Sequence, residues 1–447
     1  MLSTDETPTF NMKVVTQETG IKPDTLRAWE RRYGLPSPQR TGGGHRLYSQ
    51  RDIDQLKWLI ARQEEGLSIS NAVELWQQLE AKGQNPLAFP ADTSTRPPEP
   101  ISGERIDQLR LDWVQACLNF DEYHAQHTLA EAFAIYPVET VCFELLQPAL
   151  NQIGAGWYDG SITVEQEHFA TALALRQLDV LLAATPPAKG QGRLLIACPP
   201  QEEHTFSPLL LTLLLRRRNW DVVYLGANVP LERLEKVVQT INPQLVILIA
   251  QTLFTAGTML PLADLLQQAQ IPMAFGGAVF THLEETRSRI PGHFLGPELR
   301  HTPESIDRLV QSQPRLPEVK RATMAYRQAL SHFQSRRAAI EAHVYQASAL
   351  EQISETDLSH ANEDLGNNIA AALTLGSMDL LTANIDWVKG VLVNYRYRIP
   401  AESLAAYVKT YHEAVRTELD DRGEPVRIWF DKLTGSPDFL KRLSRAG

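Results

Sequence analysis

Between Gly192 and Gln311 the chain alternates short apolar runs with helical periodicity, and few architectures accept that pattern. RLLIAC, DVVYLG, QLVILIA, PMAFGG and HFLG read as buried strands, while SPLLLTLLLRRR, LERLEKVVQTI and TAGTMLPLADLLQQA read as helices. Strands separated by helices pair in parallel, because each crossover returns the chain in the same sense and lays its helix on a face of the sheet. With both faces covered, such strands are apolar throughout rather than alternating. Residues 190–313 are therefore expected to form a Rossmann-like, doubly wound parallel-sheet α/β domain. A ligand of such a sheet is expected outside the carboxyl ends of its strands.

The remainder of the 447 residues is helical in pattern and too long for one core, so the fold class is multidomain. NPLAFPADTSTRPPEPISGE carries five prolines and no helical period, and residues 84–104 read as a linker. Residues 105–186 read as an all-α bundle of four helices and residues 317–447 as a second all-α bundle. No uncharged apolar run is long enough to span a membrane, and MLSTDETPTF lacks the regions of a signal peptide. Cys117, Cys142 and Cys198 are odd in number and have no metal-type spacing, which suits a reducing cytoplasm.

Net charge is −10, yet Met12–Arg62 holds ten Lys or Arg against five Asp or Glu, so this segment is +5 and the rest −15. That distribution excludes indiscriminate polyanion binding by the whole chain and points to a local basic head. Two short helical patterns flank Gly20, and the second, Pro23–Tyr33, carries Arg27, Trp29, Arg31 and Arg32. Trp29 reads as core on size and apolarity. A glycine-rich hairpin, QRTGGGHRLY, follows with Arg40, His45, Arg46 and Tyr48. A recognition helix can enter the major groove while a basic hairpin touches adjacent phosphates. TLRAWERRYGL followed by R-T-x-x-G-H-R-x-Y resembles the winged helix-turn-helix of the MerR family. The resemblance covers about sixty residues of a domain expected at 8–80 and implies operator DNA contacts at Arg27, Arg31, Arg40, His45, Arg46 and Tyr48. The helical pattern breaks near Gly83, before any long coiled coil, so oligomerisation is expected elsewhere.

The loop after the first strand of the α/β region reads Glu202-x-His204-x-x-Ser207; Gln251-Thr252-Leu253 follows the third strand and Gly276-Gly277 the fourth. This order resembles the cobalamin-binding fold of methionine synthase and of cobalamin-dependent MerR regulators, which carry an acidic residue, His and Gly, then S-x-L, then G-G. The resemblance implies His204 as lower axial ligand of cobalt, and Glu202, with Glu203 as fallback, as its carboxylate partner. An imidazole suits cobalt, and a carboxylate on its other N–H fixes the tautomer. Ser207 stands where the family has glycine and Gln251 where it has serine. The same resemblance implies Ser207, Gln251, Thr252, Leu253, Gly276 and Gly277 around the nucleotide tail.

In the helical region, Trp157 is followed nine residues later by Glu167-His168. W-x9-EH resembles the bundle that caps the upper cobalamin face in CarH-type (CarH/LitR-like) light-sensing repressors. By that resemblance Trp157 covers the upper ligand, most simply the adenosyl group of adenosylcobalamin, and Glu167 and His168 line its pocket. Tyr158 stands where light-responsive members place a second histidine. A bis-histidine photoproduct would need another residue such as His168; weak ligation by Tyr158, or sensing of cobalamin itself in the dark, is the alternative.

Residues 317–447 exceed the simpler regulators. Trp387, Tyr395, Tyr397, Tyr407, Tyr411 and His412 read as bundle packing. The rival reading is a non-covalent bilin site, such as biliverdin, by resemblance to photocobilin-type photoreceptors. Arg396 and Arg398 would meet propionates and His332, His343, His360 or His412 the ring. The function expected is that of a non-enzymatic, cobalamin-dependent and light-responsive transcriptional regulator, most simply a repressor. Adenosylcobalamin would favour a dimer or tetramer, held through the cobalamin-binding region, whose heads bind operator DNA together. The alternatives are a regulator sensing a bilin or a protein partner through the C-terminal helices, and a cobalamin-carrying methyltransferase component.

Overall fold

The computed structural model describes residues 8–40, 46–64, 69–81, 86–88, 103–186, 188, 192–232, 234–347, 350, 352–383 and 401–436. The chain divides into two compact units, one of residues 1–151 with 176–186 and the other of 152–175 with 187–447.

The first unit opens with β1 (Phe10–Asn11), α1 (Met12–Thr19) and α2 (Pro23–Tyr33), then β2 (Gln39–Arg40), β3 (Arg46–Tyr48), α3 (Gln50–Glu64) and α4 (Ile69–Ala81). Local chemistry sets these bounds. The Asn11 side chain accepts from the Val14 N–H and caps α1, and left-handed Gly20 ends it. Pro23 is preorganised for the first turn of α2, and left-handed Gly34 stops that helix. The expected hairpin forms: β2 and β1 both pair antiparallel with β3, in the order β1-β3-β2. Val15, Leu26, Trp29, Ile53 and Leu56 are buried beneath it. Of the proline-rich stretch, residues 86–88 form a 3-10 turn and α5 (Gly103–Leu118) starts at its end; residues 89–102 lie outside the described residues. There follow α6 (Glu122–Ile135) and α7 (Val138–Thr140), which passes through a π-helical turn at Val141–Leu146 into α8 (Gln147–Tyr158). The last helix of the bundle is α9 (Val164–Ala184); α8 and α9 run from one unit into the other.

In the second unit β4 (Arg193–Ala197), β5 (Asp221–Tyr224), β6 (Leu245–Ile249), β7 (Met273–Gly276) and β8 (His293–Phe294) form one parallel sheet in the order β5-β4-β6-β7-β8. All five strands read from the sequence are present. The order reverses at β4, whose neighbours are β5 on one side and β6 on the other. That junction is where a doubly wound sheet opens a crevice. Helices α10 (Phe206–Arg217), α11 (Leu234–Ile241), α12 (Leu253–Gln268), α13 (Ala278–His282) and α14 (Thr302–Ser312) complete the region. On one face Leu194, Ile196, Ile247 and Ile249 pack with Leu211, Leu215 and Ile306.

The C-terminal helices are α15 (Met324–Tyr345), α16 (Glu355–Leu375), α17 (Ala401–Glu418) and α18 (Glu424–Thr434). Their core is continuous with the other face of the sheet: Leu195, Val246, Leu248, Met259, Phe333, Ile369, Tyr407 and Phe430 belong to one buried cluster. The contact depends on α12 and α16 approaching at Gly257, where a Cβ would lie 2.8 Å from the Ala371 Cβ and 2.9 Å from its Cα. Gly257→Val is expected to destabilise the protein by about 1–3 kcal/mol through overpacking. An unchanged urea midpoint would show that this helix pair tolerates separation.

Candidate functional site

The loop after β4 is built around one buried carboxylate. Gln201 adopts a left-handed backbone, with φ 64°. Its N–H donates to the Asn228 Oδ1 at 2.8 Å, and the Asn228 N–H returns to the Glu202 carbonyl at 3.1 Å. This turn sends the Glu202 side chain inward, where it is 1% exposed. Its Oε1 accepts from the His204 Nδ1 at 2.7 Å and from the His204 backbone N–H at 3.0 Å. Its Oε2 accepts from the Gln251 N–H at 2.7 Å and the Thr255 hydroxyl at 2.6 Å. All four bonds converge where β4 and β6 part.

The electrostatics follow from this geometry. Burial opposes the charge of Glu202, but the bonds from His204, Thr255 and Gln251 outweigh it and hold its pKa below the ordinary carboxylate value. The hydrogen bond to Glu202 raises the pKa of His204, against partial desolvation of the ring by its surroundings, and the charges of Glu202, Glu167 and Glu203 add to the rise. The His204 side chain remains 69% exposed. With Nδ1–H donated to a carboxylate, Nε2 is the nitrogen that carries the available lone pair.

The neighbouring loops are tied to the same frame. The Gln251 side chain accepts from the Ala278 N–H at 2.9 Å, joining the loop after β6 to the one after β7. Gly277 has φ +120°, and a Cβ there would lie 1.8 Å from the Ala250 carbonyl oxygen, so only glycine fits. Gly276 closes β7 beside it and pairs with Ile249. Thr252 and Thr255 form a reciprocal capping box at the start of α12. Leu253 is 1% exposed and lies in the core beneath the loop. Ser207, in the first turn of α10, is half-buried.

Trp157 and the Glu167-His168 pair lie on the two arms of one helical hairpin. The turn between α8 and α9 is closed by Ile162 N–H and the Ser161 hydroxyl, both donating to the Gly156 carbonyl, at 2.9 and 3.1 Å. Trp157 in the last turn of α8 is half-buried. Glu167 accepts from the Thr171 hydroxyl at 2.7 Å and lies 3.7 Å from the His168 Nε2.

On the basic head, Arg27 and Arg31 are exposed on α2, and so is Arg32, which the motif did not single out. Arg27 is paired with Asp24 at 3.0 Å. Glu30 bridges α2 to the wing: it accepts from the Arg46 Nε at 2.8 Å and from the Tyr48 hydroxyl at 2.6 Å. Tyr48 was expected to contact DNA, and the structure corrects this. It is 0% exposed, and burial together with the Glu30 bond pushes its pKa well up. It anchors β3 to α2 instead. Arg46 is half-buried. The Arg40 side chain and His45 lie outside the described residues.

Comparison with known proteins bears on the domains that carry these residues. Residues 10–79 match the MerR HTH family of regulatory proteins, and residues 109–182 and 192–297 each match a B12 binding domain. The HTH-type transcriptional repressor CarH of Myxococcus xanthus is 31% identical over 294 residues, 65% of this chain and 96% of that protein. The chain belongs to the CarH family of MerR-type regulators. The repressor CarA of the same organism is 34% identical over 244 residues, 54% of this chain and 76% of CarA. The regulator MlrA of Escherichia coli matches the head alone, 45% identical over 65 residues, 14% of this chain and 27% of MlrA.

The donor set fits the cobalamin that the B12 domains imply. A bare metal ion needs several protein ligands, and among the described residues no group of three or more His, Cys, Asp or Glu converges to supply them. A single exposed imidazole, oriented through its far nitrogen, suits a metal that a macrocycle already holds on four sides. The motif did not reveal Thr255 and Asn228. Thr255 is 53 residues from Glu202 and reaches it only because β6 lies beside β4. A T-x-x-T capping signature after the third strand was the available sign.

The C-terminal aromatic residues pack as expected where described. Tyr407 and Tyr411 are fully buried, the Tyr407 hydroxyl donates to Asn362 at 3.0 Å, and the His412 ring stacks on Phe430. His412 also bonds Asp431 at 2.9 Å, and the His332 Nε2 accepts from the Asp420 N–H at 3.2 Å. Trp387, Tyr395, Arg396, Tyr397 and Arg398 lie outside the described residues.

The Glu202–His204 pair has a defined pH window. The Glu202 contribution to stability is present above the ordinary carboxylate value of 4.5 and is lost as pH falls through its lowered value. The His204 contribution is present below the ordinary imidazole value of 6.5 and is lost as pH rises through its raised value. Replacing Glu202 by Gln should therefore reduce stability most between these two values, as read by urea midpoints across pH. A uniform offset at every pH would assign the loss to packing.

Proposed function

We propose that the chain is a cobalamin-dependent transcriptional repressor whose operator affinity is set by adenosylcobalamin and light. The observation that carries this reading is the single imidazole of His204, locked through Nδ1 by buried Glu202 and presenting Nε2 at the mouth of the β4–β6 crevice. His204 would bind cobalt from below, with Glu202 fixing its tautomer and Thr255 and the Gln251 N–H fixing Glu202. Ser207, Gln251, Thr252, Gly276 and Gly277 would line the path of the nucleotide tail, with Leu253 packed beneath them, Gly277 because its bare backbone lets a ligand approach. Trp157, Glu167 and His168 would close over the upper face. Adenosylcobalamin bound there supplies a cobalt–carbon bond that light can break.

What the protein contributes is linkage between two sites. Trp157 would hold the upper ligand, and the state so stabilised would present several heads together, as a dimer or tetramer. Arg27, Arg31, Arg40, His45 and Arg46 then meet successive stretches of operator, and joined heads bind far more tightly than one. DNA must in turn favour the ligand-bound state, since coupling is reciprocal. No helix among the described residues is long and apolar enough to cross a membrane, and a regulator of this kind acts in the cytoplasm.

The decisive experiment measures operator binding by the full chain with and without adenosylcobalamin, in the dark and after illumination. The tight complex is expected only with adenosylcobalamin in the dark; equal affinity in all four conditions would remove the switch. His204→Ala is expected to leave added adenosylcobalamin with the spectrum of the free compound. Glu202→Gln is expected to weaken uptake about 10–100-fold, as loss of a partner to a metal-binding histidine commonly does.

A further inference from the structure

Arg62 lies at the C-terminal end of α3, a position where a helix usually carries a solvated base, yet it is 3% exposed. Its Nη1 donates to the carbonyl of Phe133 at 2.9 Å and of Ala134 at 2.5 Å. Both carbonyls belong to the last turn of α6, whose final C=O groups have no partners within the helix. That end also carries the negative pole of the helix dipole. The guanidinium stacks over Trp58 at 5.3 Å, and Trp58 meets Trp76 of α4 edge-on, so an apolar collar surrounds the charge. A basic group buried here costs desolvation that a leucine would avoid. What it gives in exchange is direction, because a planar fork docks on a helix end in one orientation.

The receiving helix is paired with the helix that carries the proposed cap residues. At the opposite end of α6, Glu122 lies 3.1 Å from Arg176 of α9. That exposed pair is weak in energy and matters as a mark of adjacency. The same helix α9 carries Glu167 and His168 in its first turns. Helix α9 thus carries both the cap residues and Arg176, the partner of α6, and α6 ends on Arg62.

We propose that Arg62 is a positioning residue that fixes the DNA-binding head to the end of α6, so that movement of the cap on corrinoid binding or photolysis reorients the head. The inference rests on the repressor reading above and names the residue through which its regulation passes. The head docks by a polar, directional contact that can shift as a unit, and its own core of Val15, Leu26, Trp29 and Leu56 is left intact.

The test uses the full chain and compares operator affinity in the dark with and without adenosylcobalamin. Linked sites commonly show ratios of about 5–150-fold. Arg62→Gln is expected to keep adenosylcobalamin uptake and its bound spectrum while the ratio falls to within about twofold of one. Arg62→Lys, which keeps the charge and can reach one carbonyl, is expected to restore part of the ratio. A wild-type ratio in Arg62→Gln would overturn the proposal. If the Gln variant does not fold, hydrogen exchange on the wild-type chain decides. Protection gained together at 58–62 and 133–135 on adding adenosylcobalamin supports the latch, and gain at 133–135 alone overturns it. A ratio of one in the wild-type chain would instead sink the repressor reading itself, with corrinoid uptake showing whether the sensor or the coupling had failed.

Discussion

The carboxylate of Glu202 is the constraint on which the sensing half of this protein depends. It is fully desolvated and keeps its charge because four donors from three segments meet it: the His204 ring and backbone, the Gln251 amide and the Thr255 hydroxyl. Each donor has its own reason to be there. The sheet order puts the end of β6 beside the end of β4, the capping box holds Thr255 on the first turn of α12, and Asn228 sets the turn that aims the glutamate inward. Removing any one leaves a buried charge short of a partner, and such a deficit costs more than the bond contributes when made. The histidine is thus oriented by fold topology rather than by its loop alone.

Much of this was legible in the sequence, for reasons that differ between elements. The strands announced themselves because both faces are covered and no polar residue interrupts runs such as LVILI. His204 was legible because a polar cluster directly behind a buried strand lies at the sheet's open end. Family resemblance then suggested a chemical role for it, and the B12 domain match over residues 192–297 covers the loop that holds it. The wing was legible from its glycines, although its tip at residues 41–45 lies outside the described residues.

What stayed hidden depends on contacts distant in sequence. Tyr48 carries a ring and a hydroxyl, and its type does not say which end faces solvent; only the arrival of Glu30 from α2 decides that it is an anchor. Thr255 looks like an ordinary helix cap until strand order brings a carboxylate to it. Arg62 reads as a solvated base at the end of α3 because nothing local shows that the end of α6 will cover it. Gly257 sits in the middle of a helical pattern, and its role is set by a partner helix more than a hundred residues later.

That glycine makes the appended helices part of the domain that would read the cofactor. Met259 and Leu262 on α12 share a single interior with Phe333, Ile369 and Phe430. A chain cut back to the extent of its shorter relatives would leave that side of α12 as bare hydrocarbon, and exposed patches of that kind invite self-association. In this chain the C-terminal helices and the sheet share one solvent-excluded interior, so loss of either exposes the other.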